Sequence, residues 1–151
     1  MRVYSPCKGK VQDVVNVNDV VFSQCIMGVG FFVETSDKKI CSPIEGVVEY
    51  IADTKHAIVI KKDNQSVMIH VGIDTCILNG KPFKILVNEG DNVRLGQIIM
   101  EVDHKMIKKN KLNNDVIVVL IENKDKTLLE NIPNKVNACD VVIEQVWNTK
   151  S

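Results

Sequence analysis

Short runs rich in valine and isoleucine, separated by turn residues, are the feature that most constrains how this chain can fold. Both residue types suit a pleated, half-buried surface, so each run predicts a β-strand. The interruptions, such as Asp63-Asn64-Gln65-Ser66 and Asn88-Glu89-Gly90-Asp91-Asn92, are typical of turns. The predicted strands cover residues 9–15, 30–34, 46–51, 57–61, 67–71, 83–87, 98–102, 116–121 and 138–146.

Helical patterns are scarce. Asn18 is predicted to cap a short helix that runs to Cys25, Asp103 a second one that runs to Asn110, and residues 126–131 to form one turn. None of these is long enough for a crossover between parallel strands. The chain is therefore predicted to be all-β, an antiparallel β-sandwich or barrel-like fold with a few short helices. Its 151 residues fit a single domain that spans residues 1–151.

One weak internal repeat has the form S-P-x-x-G-x-V. It occurs as Ser5-Pro6-Cys7-Lys8-Gly9-Lys10-Val11 and again as Ser42-Pro43-Ile44-Glu45-Gly46-Val47-Val48. Proline suits the start of a strand, and the glycine that follows allows two backbones to approach closely. Two similar corners predict two similar half-sheets that face each other.

Charge and hydropathy exclude some function classes. Lys plus Arg equals Asp plus Glu at 19 each, which argues against a nucleic-acid binder and against a polybasic membrane anchor. The N-terminus lacks the apolar stretch of a signal peptide, and the longest apolar run, residues 116–121, is far shorter than a membrane span. We expect a cytoplasmic protein with no direct membrane span and no nucleic-acid partner.

The five cysteines favour the same compartment. Their number is odd and no C-x-x-C pair occurs, so they make a poor disulfide framework and a poor zinc site. Small buried thiols that stay reduced in a cytosol are the simplest interpretation. The cysteines are Cys7, Cys25, Cys41, Cys76 and Cys139.

Two of the three histidines flank a predicted hairpin. His56 begins one apolar run and His70 ends the next, with turn residues between them. If His56 lies directly opposite His70, the loop has three or five residues, and both lengths are common. Opposite residues share a face with Cβ atoms about 4.5–5.5 Å apart, so the rings can touch, whereas a slip of one residue would separate them.

The chemistry of such a pair depends on its apolar surroundings. Burial and a second imidazole both lower a histidine pKa, so the rings are predicted to be neutral at pH 7. A neutral ring with one nitrogen held as an N–H donor has a nucleophilic lone pair on the other. Gly72 offers a carbonyl that can fix the His70 tautomer, Asp74 a carboxylate, and Thr54 a hydroxyl that can orient His56. From spacing alone, a pair of core histidines satisfied by hydrogen bonds is equally well supported.

These residues carry a family resemblance that covers nearly the whole chain. Thr54-Lys55-His56-Ala57 and His70-Val71-Gly72-Ile73-Asp74-Thr75 resemble the two histidine motifs of the glucose-type enzyme IIA of the bacterial sugar phosphotransferase system. Two departures are Gly28-Val29-Gly30, where the family commonly has an acid between the glycines, and Ala52, where a larger apolar residue is frequent. Further similar segments are Ser42-Pro43-Ile44-Glu45-Gly46, Asn79-Gly80-Lys81-Pro82-Phe83, Glu89-Gly90-Asp91-Asn92-Val93 and Asp19-Val20-Val21-Phe22.

The resemblance implies a β-sandwich phosphocarrier with both histidines in a shallow apolar depression. It implies that His70 accepts a phosphoryl group from the phosphohistidine of HPr and passes it to a cysteine of an enzyme IIB domain. By the same match His56 stabilises the phosphoryl group and Thr54 orients His56, with Gly72 and Asp74 beside them. No cofactor is required, and an adventitious or interfacial zinc ion between His56 and His70 at a protein contact is a further expectation. Regulatory target proteins are further candidate partners.

Three alternatives remain open from the sequence. A regulatory binding protein of the same fold would carry no phosphate. A biotinyl or lipoyl carrier would use Lys105, which follows the Glu89-Gly90-Asp91 segment although the modified lysine is expected before it. A zinc peptidase would use His70 and Asp74 but also needs a later H-x-H, which is absent.

Overall fold

The computed structural model describes residues 1–146, in which short strands dominate. The strands are β1 (Val3–Tyr4), β2 (Gly9–Asp13), β3 (Gly30–Glu34), β4 (Lys39–Cys41), β5 (Gly46–Ile51), β6 (Ala57–Lys62), β7 (Gln65–Val71), β8 (Phe83–Ile85), β9 (Asn92–Val93), β10 (Ile98–Val102), β11 (Val116–Leu120), β12 (Lys135–Val136) and β13 (Val141–Ile143). The helices are α1 (Val20–Ser23) and α2 (His104–Lys109), with 3₁₀ turns at Val14–Asn16, Thr75–Leu78 and Lys126–Leu129.

The strands form three antiparallel sheets. The largest has the order β12-β2-β3-β11-β7-β6-β5-β9, the second β4-β10-β8, and β1 pairs with β13. The predicted all-β, antiparallel architecture is confirmed. Within residues 1–146, no helix is both long and apolar enough to cross a membrane.

The centre of the large sheet is covered on both faces. Every residue of β11 is buried, which explains why its sequence is an unbroken apolar run rather than an alternating one. In one cross-strand row Phe31, Val118, Ile69 and Ile58 lie side by side, each fully buried. These side chains belong to one continuous hydrophobic cluster, which holds the strand that bears His70 in place.

Several predicted boundaries are wrong for local reasons. The strand predicted at residues 9–15 ends at Asp13, whose carboxylate accepts a hydrogen bond from the Val15 N–H and starts a 3₁₀ turn. The strand predicted at 138–146 shrinks to β13, because Cys139 has a left-handed backbone with φ of 70°. Asp19, not Asn18, caps α1. The helix predicted between Asp103 and Asn110 is confirmed.

The predicted hairpin register is also wrong. Ala57, not His56, pairs with His70, and Lys62 pairs with Gln65 at the other end. Only Asp63 and Asn64 remain for the turn, and Asp63 takes a left-handed φ of 53°, which aspartate tolerates. A two-residue turn matches the twist of the flanking strands, so the shorter loop is preferred over the predicted one. His56 consequently lies just outside the ladder.

The repeated corners are equivalent in structure. The Ser5 hydroxyl donates to the Cys7 carbonyl and the Ser42 hydroxyl to the Ile44 carbonyl, both at 2.6 Å and both buried. The equivalence extends outward, because β12-β2-β3 on one side of the large sheet corresponds to β9-β5-β6 on the other. The prediction of two similar halves is confirmed, but they join at β11 and β7 into one continuous sheet.

Two glycines provide a stability test: Gly46, which belongs to the repeat, and Gly90, which lies in a turn outside it. A Cβ on Gly46 would lie 2.4 Å from the Lys61 carbonyl oxygen, whereas a Cβ on Gly90 would meet nothing within 4 Å. We expect Gly46→Ala to lower the free energy of unfolding by about 3 kcal/mol because β5 and β6 must separate. Gly90→Ala, which suffers only from its left-handed backbone, should cost about 1–2 kcal/mol. Urea unfolding measures both, and equal losses would contradict the steric argument.

Candidate phosphoryl-transfer site

His70 lies on β7 with an aromatic ring on either side. Its ring centroid is 5.0 Å from that of Phe22 on α1 and 4.9 Å from that of His56, both in edge-to-face arrangements. In the sheet, His70 stands between Ile117 of β11 and Ala57 of β6. The predicted contact between the two histidines is therefore confirmed, although the register that predicted it is wrong.

A tight turn before β6 brings His56 to this position. The Lys55 N–H donates to the Ala52 carbonyl at 2.8 Å, and Lys55 has a left-handed φ of 63°. The His56 carbonyl then accepts a hydrogen bond from the Val71 N–H at 2.8 Å. The backbone of His56 is thus tied to β7 while its side chain leaves the regular alternation of a strand, which allows the ring to reach His70.

Thr54 holds the His56 ring as predicted. Its hydroxyl oxygen lies 2.7 Å from His56 Nδ1. When the hydroxyl donates this hydrogen bond, Nδ1 is the acceptor and the ring proton resides on Nε2. His56 can then present an N–H group to an anionic ligand.

The two nitrogens of His70 have different surroundings. Nδ1 is buried and makes no regular hydrogen bond within the part of the chain that the structure describes. The Gly72 backbone lies near the ring and favours its protonated form. His70 as a whole is only half-buried although Nδ1 is enclosed, which leaves the Nε2 side of the ring as the side that an incoming group can approach.

Burial keeps both rings neutral. Burial, reinforced by the neighbouring His56, lowers the pKa of His70 to about 4, with the Gly72 backbone and Asp19 acting in the opposite direction. Burial also lowers the pKa of His56. At neutral pH each ring therefore has one unprotonated nitrogen, and for His70 this neutral state is the form a nucleophilic histidine requires.

Gly72 sits where no other residue fits. Its φ is 76°, and a Cβ there would lie 2.3 Å from the Asn113 carbonyl oxygen and 2.4 Å from Thr75 Cγ2. The Gly72 N–H donates to the Asp115 carbonyl at 2.7 Å, and the buried Thr75 hydroxyl donates to the Val71 carbonyl at 2.5 Å. This network fixes the backbone that follows His70.

Asp74 was predicted to offer a carboxylate near His70, and its part in the site stays a prediction. It is exposed, has a left-handed φ of 60°, and makes no capping hydrogen bond to the 3₁₀ turn that it precedes. Asp19 also favours the protonated form of His70, although less than the Gly72 backbone does, and its Oδ1 accepts hydrogen bonds from the Val21 and Phe22 N–H groups. Sequence reasoning left Asp19 and Phe22 out of the site, although a capping aspartate before an apolar run was visible.

The surface beside the pair is apolar. Ala52 and Ala57, both with small side chains, lie in the same cross-strand row as His70, where the family resemblance implies a shallow depression. On the α1 side, Val20 and Val21 expose 64% and 44% of their surface. Ala52 itself is buried, so its departure from the family pattern changes the shape of this depression rather than its polarity.

The third histidine serves a different purpose. His104 Nδ1 accepts from the Asn114 amide at 2.9 Å, so Nε2 carries the proton and donates to the Asp37 carbonyl at 2.7 Å. Both nitrogens are thus engaged in holding α2 against the sheet. Lys105 lies within α2 rather than in a hairpin turn, which gives the biotinyl or lipoyl alternative no support.

Among residues 1–146, no group of three or more His, Cys, Asp or Glu side chains could hold a metal ion. The histidine pair offers two nitrogen ligands, fewer than the three or four that protein zinc sites use. Zinc binding would therefore need ligands from a second protein. The interfacial zinc ion stays a prediction.

Comparison with known proteins agrees with this geometry. The solved structure of glucose permease IIA from Mycoplasma capricolum is similar with a TM-score of 0.83 and 29% identity, covering 95% of this chain and 94% of that one. The PTS system glucose-specific EIIA component of Staphylococcus epidermidis is 34% identical over 128 residues, which are 84% of this chain and 76% of the relative. The glucose-specific EIICBA component of Staphylococcus carnosus is 39% identical over 127 residues, 83% of this chain and 19% of that longer protein.

The fold and the paired histidines thus define a IIA-type protein. Residues 1–127 match the family described as phosphoenolpyruvate-dependent sugar phosphotransferase system, EIIA 1. The chain belongs to this family.

The low pKa of His70 predicts a pH-dependent stability. An unfolded chain protonates histidine near pH 6.5, whereas folded His70 does so at about 4. Between these values the unfolded state binds more protons, so stability falls as the pH drops. Between pH 7 and 4.5 we expect His70 to account for roughly 2 kcal/mol of this loss, absent in His70→Gln. Urea unfolding at both pH values tests this, and an NMR titration of His70 near pH 6.5 would contradict it.

The two nearby aspartates provide a matched pair of variants. Asp19→Asn keeps a good helix cap but removes the negative charge that favours protonated His70, so the pKa of His70 should fall further. Asp74→Asn should leave the His70 titration unchanged. Histidine ring shifts followed by NMR between pH 3 and 8 report both variants. If instead Asp74→Asn lowers the pKa of His70 and Asp19→Asn leaves it unchanged, the carboxylate that acts on His70 is that of Asp74.

Proposed function

We propose that this protein is a cytoplasmic phosphocarrier in sugar uptake, which takes a phosphoryl group from phospho-HPr on His70 and passes it to a cysteine of an enzyme IIB domain. The observation that carries the proposal is a neutral His70 ring whose Nδ1 is buried and whose Nε2 is reachable, in contact with a second histidine. A histidine with a purely structural role normally has a hydrogen-bond partner on each ring nitrogen, as His104 has here.

The reaction follows from this arrangement. The lone pair of His70 Nε2 attacks the phosphorus of the donor phosphohistidine, a new N–P bond forms, and the donor N–P bond breaks with its electron pair returning to the donor ring. The His70 proton stays on Nδ1 beside the Gly72 backbone. In the second step a cysteine thiolate of the acceptor attacks the same phosphorus, and His70 leaves as a neutral ring.

His56 is the residue suited to stabilise the transferred group. With the Thr54 hydroxyl donating to Nδ1, the His56 Nε2–H can donate to a phosphoryl oxygen. Phosphoryl transfer depends mainly on positioning and on stabilising charge over the three equatorial oxygens. A neutral donor stabilises the transition state without holding the phosphorylated product so strongly that onward transfer stops.

The apolar surroundings suit transient docking. Val20 and Val21 border the depression with exposed side chains, and two different partners would present their reactive atoms to the same reachable nitrogen. The Staphylococcus carnosus relative is named EIICBA, which supports a B-type domain as the acceptor for this chain. Both staphylococcal relatives are named as glucose-specific, so glucose is the first sugar to test here.

Substitution of each histidine separates the two roles. His70→Ala should take up no phosphate from phosphoenolpyruvate, enzyme I and HPr, because the nucleophile is lost. His56→Gln should still take up phosphate but pass it to enzyme IIB roughly 100-fold more slowly, as expected for loss of one preorganised donor. Radiolabelled phosphate, followed by mapping of the acid-labile adduct, measures both steps, and Asp74→Asn serves as the folded control.

The same experiment tests the alternative of a regulatory protein that carries no phosphate. If the wild-type chain remains unlabelled while HPr is fully phosphorylated, the phosphocarrier proposal fails. An adduct on any residue other than His70 would overturn the assignment of the nucleophile.

A further inference from the structure

Two equivalent turns meet where the repeated corners come together. In residues 94–97 the Arg94 N–H donates to the Gln97 side chain at 3.0 Å, and in residues 137–140 the Asn137 N–H donates to the Asp140 carboxylate at 2.7 Å. The first turn exchanges a pair of backbone hydrogen bonds with Ser42, and the second exchanges an equivalent pair with Ser5. The two segments occupy the same place in the two halves of the fold.

The third residue of each turn is left-handed, and here the halves differ. Gly96 has φ of 79°, whereas its counterpart Cys139 has φ of 70°, a conformation that non-glycine residues rarely adopt. A Cβ built on Gly96 would lie 2.9 Å from the Cys139 sulfur. The Cys139 thiol therefore packs directly against the opposite turn, and only glycine at position 96 leaves room for it.

A second thiol lies at the same junction. Cys41 ends β4 and precedes Ser42, whose carbonyl accepts from the Gly96 N–H at 3.1 Å. The Cys41 N–H donates to the Pro6 carbonyl at 2.8 Å, and the Cys139 N–H donates to the neighbouring Ser5 carbonyl at 2.9 Å. After burial, the neighbouring Cys139 is the next cause of the raised pKa of Cys41, which agrees with the two thiols lying side by side. Backbone hydrogen bonds on both sides hold them in this contact.

We propose that Cys41 and Cys139 form an oxidation site, at which hydrogen peroxide closes a disulfide that ties the turn before β13 to β4. Cys139 is exposed and Cys41 is buried, so Cys139 meets the oxidant first. The Cys139 thiolate attacks one peroxide oxygen, the O–O bond breaks, and a sulfenic acid and hydroxide result. The Cys41 sulfur then displaces hydroxide, so two thiols and one peroxide become one disulfide and two waters.

The other thiols are not placed for this reaction. Cys76 is exposed but belongs to a distant 3₁₀ turn, and Cys25 is buried beside α1. Cys7 is buried, and burial raises its pKa to about 12, which keeps it protonated. Burial also raises the pKa of Cys41 to about 11, which argues against a first attack on peroxide, so Cys41 takes part only in the second step, through its position beside Cys139.

The test uses Cys76→Ser, which removes the other exposed thiol without touching the pair. After treatment with hydrogen peroxide, free thiols are alkylated in denaturant and the protein is digested without reduction. We expect a cross-linked peptide that joins Cys41 to Cys139, with a mass about 2 Da below the sum of the two reduced peptides. In the matched Cys41→Ser, Cys76→Ser variant, Cys139 should instead proceed to the sulfinic acid.

Thermal unfolding provides a second readout. A disulfide that closes a long loop restricts the unfolded chain, so oxidised Cys76→Ser should melt roughly 5 °C or more above its reduced form. The double variant should show no rise. The proposal is overturned if Cys139 becomes a sulfinic acid without cross-linking in Cys76→Ser, if it pairs with Cys7 or with a second molecule, or if oxidation leaves the melting temperature unchanged.

Discussion

Burial of the His70 ring penalises its charged form, and the rest of the site depends on this single desolvation. The ring stands between β11 and β6 with Phe22 and His56 against it, and its pKa falls to about 4. A ring that remained protonated at neutral pH would have no lone pair to offer and would repel a neighbouring imidazolium. Neutrality lets the two histidines lie in contact, and it is the state that the proposed roles of nucleophile and hydrogen-bond donor require.

The large sheet is the rigid part of the site, and the irregular backbone segments next to it position the reactive side chains. A regular hairpin would place adjacent residues on opposite faces, so His56 reaches His70 only because the turn at Lys55 comes before the ladder begins. Similarly, the chain leaves β7 through the left-handed Gly72, which has no room for a side chain. Irregular backbone on either side of a buried strand thus positions the reactive atoms, while the strand itself fixes their separation.

Patterns of apolar residues predicted the long strands well, because valine-rich runs such as β11 can only be buried in a sheet. The short strands β1, β4, β9 and β12 were missed, since two or three residues carry no periodicity and pair only with partners distant in sequence. His56, His70 and Thr54 were found from spacing and family resemblance. Asp19 and Phe22 were not, because their contribution arises from the packing of α1 over β7, and no local pattern reports a tertiary contact.

The position of β11 has a consequence for how the chain is made. One half of the fold, β4 to β10, is continuous in sequence, whereas the other combines β1, β2 and β3 with β11, β12 and β13. Both β3 and β7 pair with β11, so during synthesis neither can complete its pairing until Val116–Leu120 has emerged from the ribosome. Until then each strand has an unpaired, hydrophobic edge. The nascent chain should consequently be most prone to aggregation just before β11 appears, and chaperones would matter most at that moment.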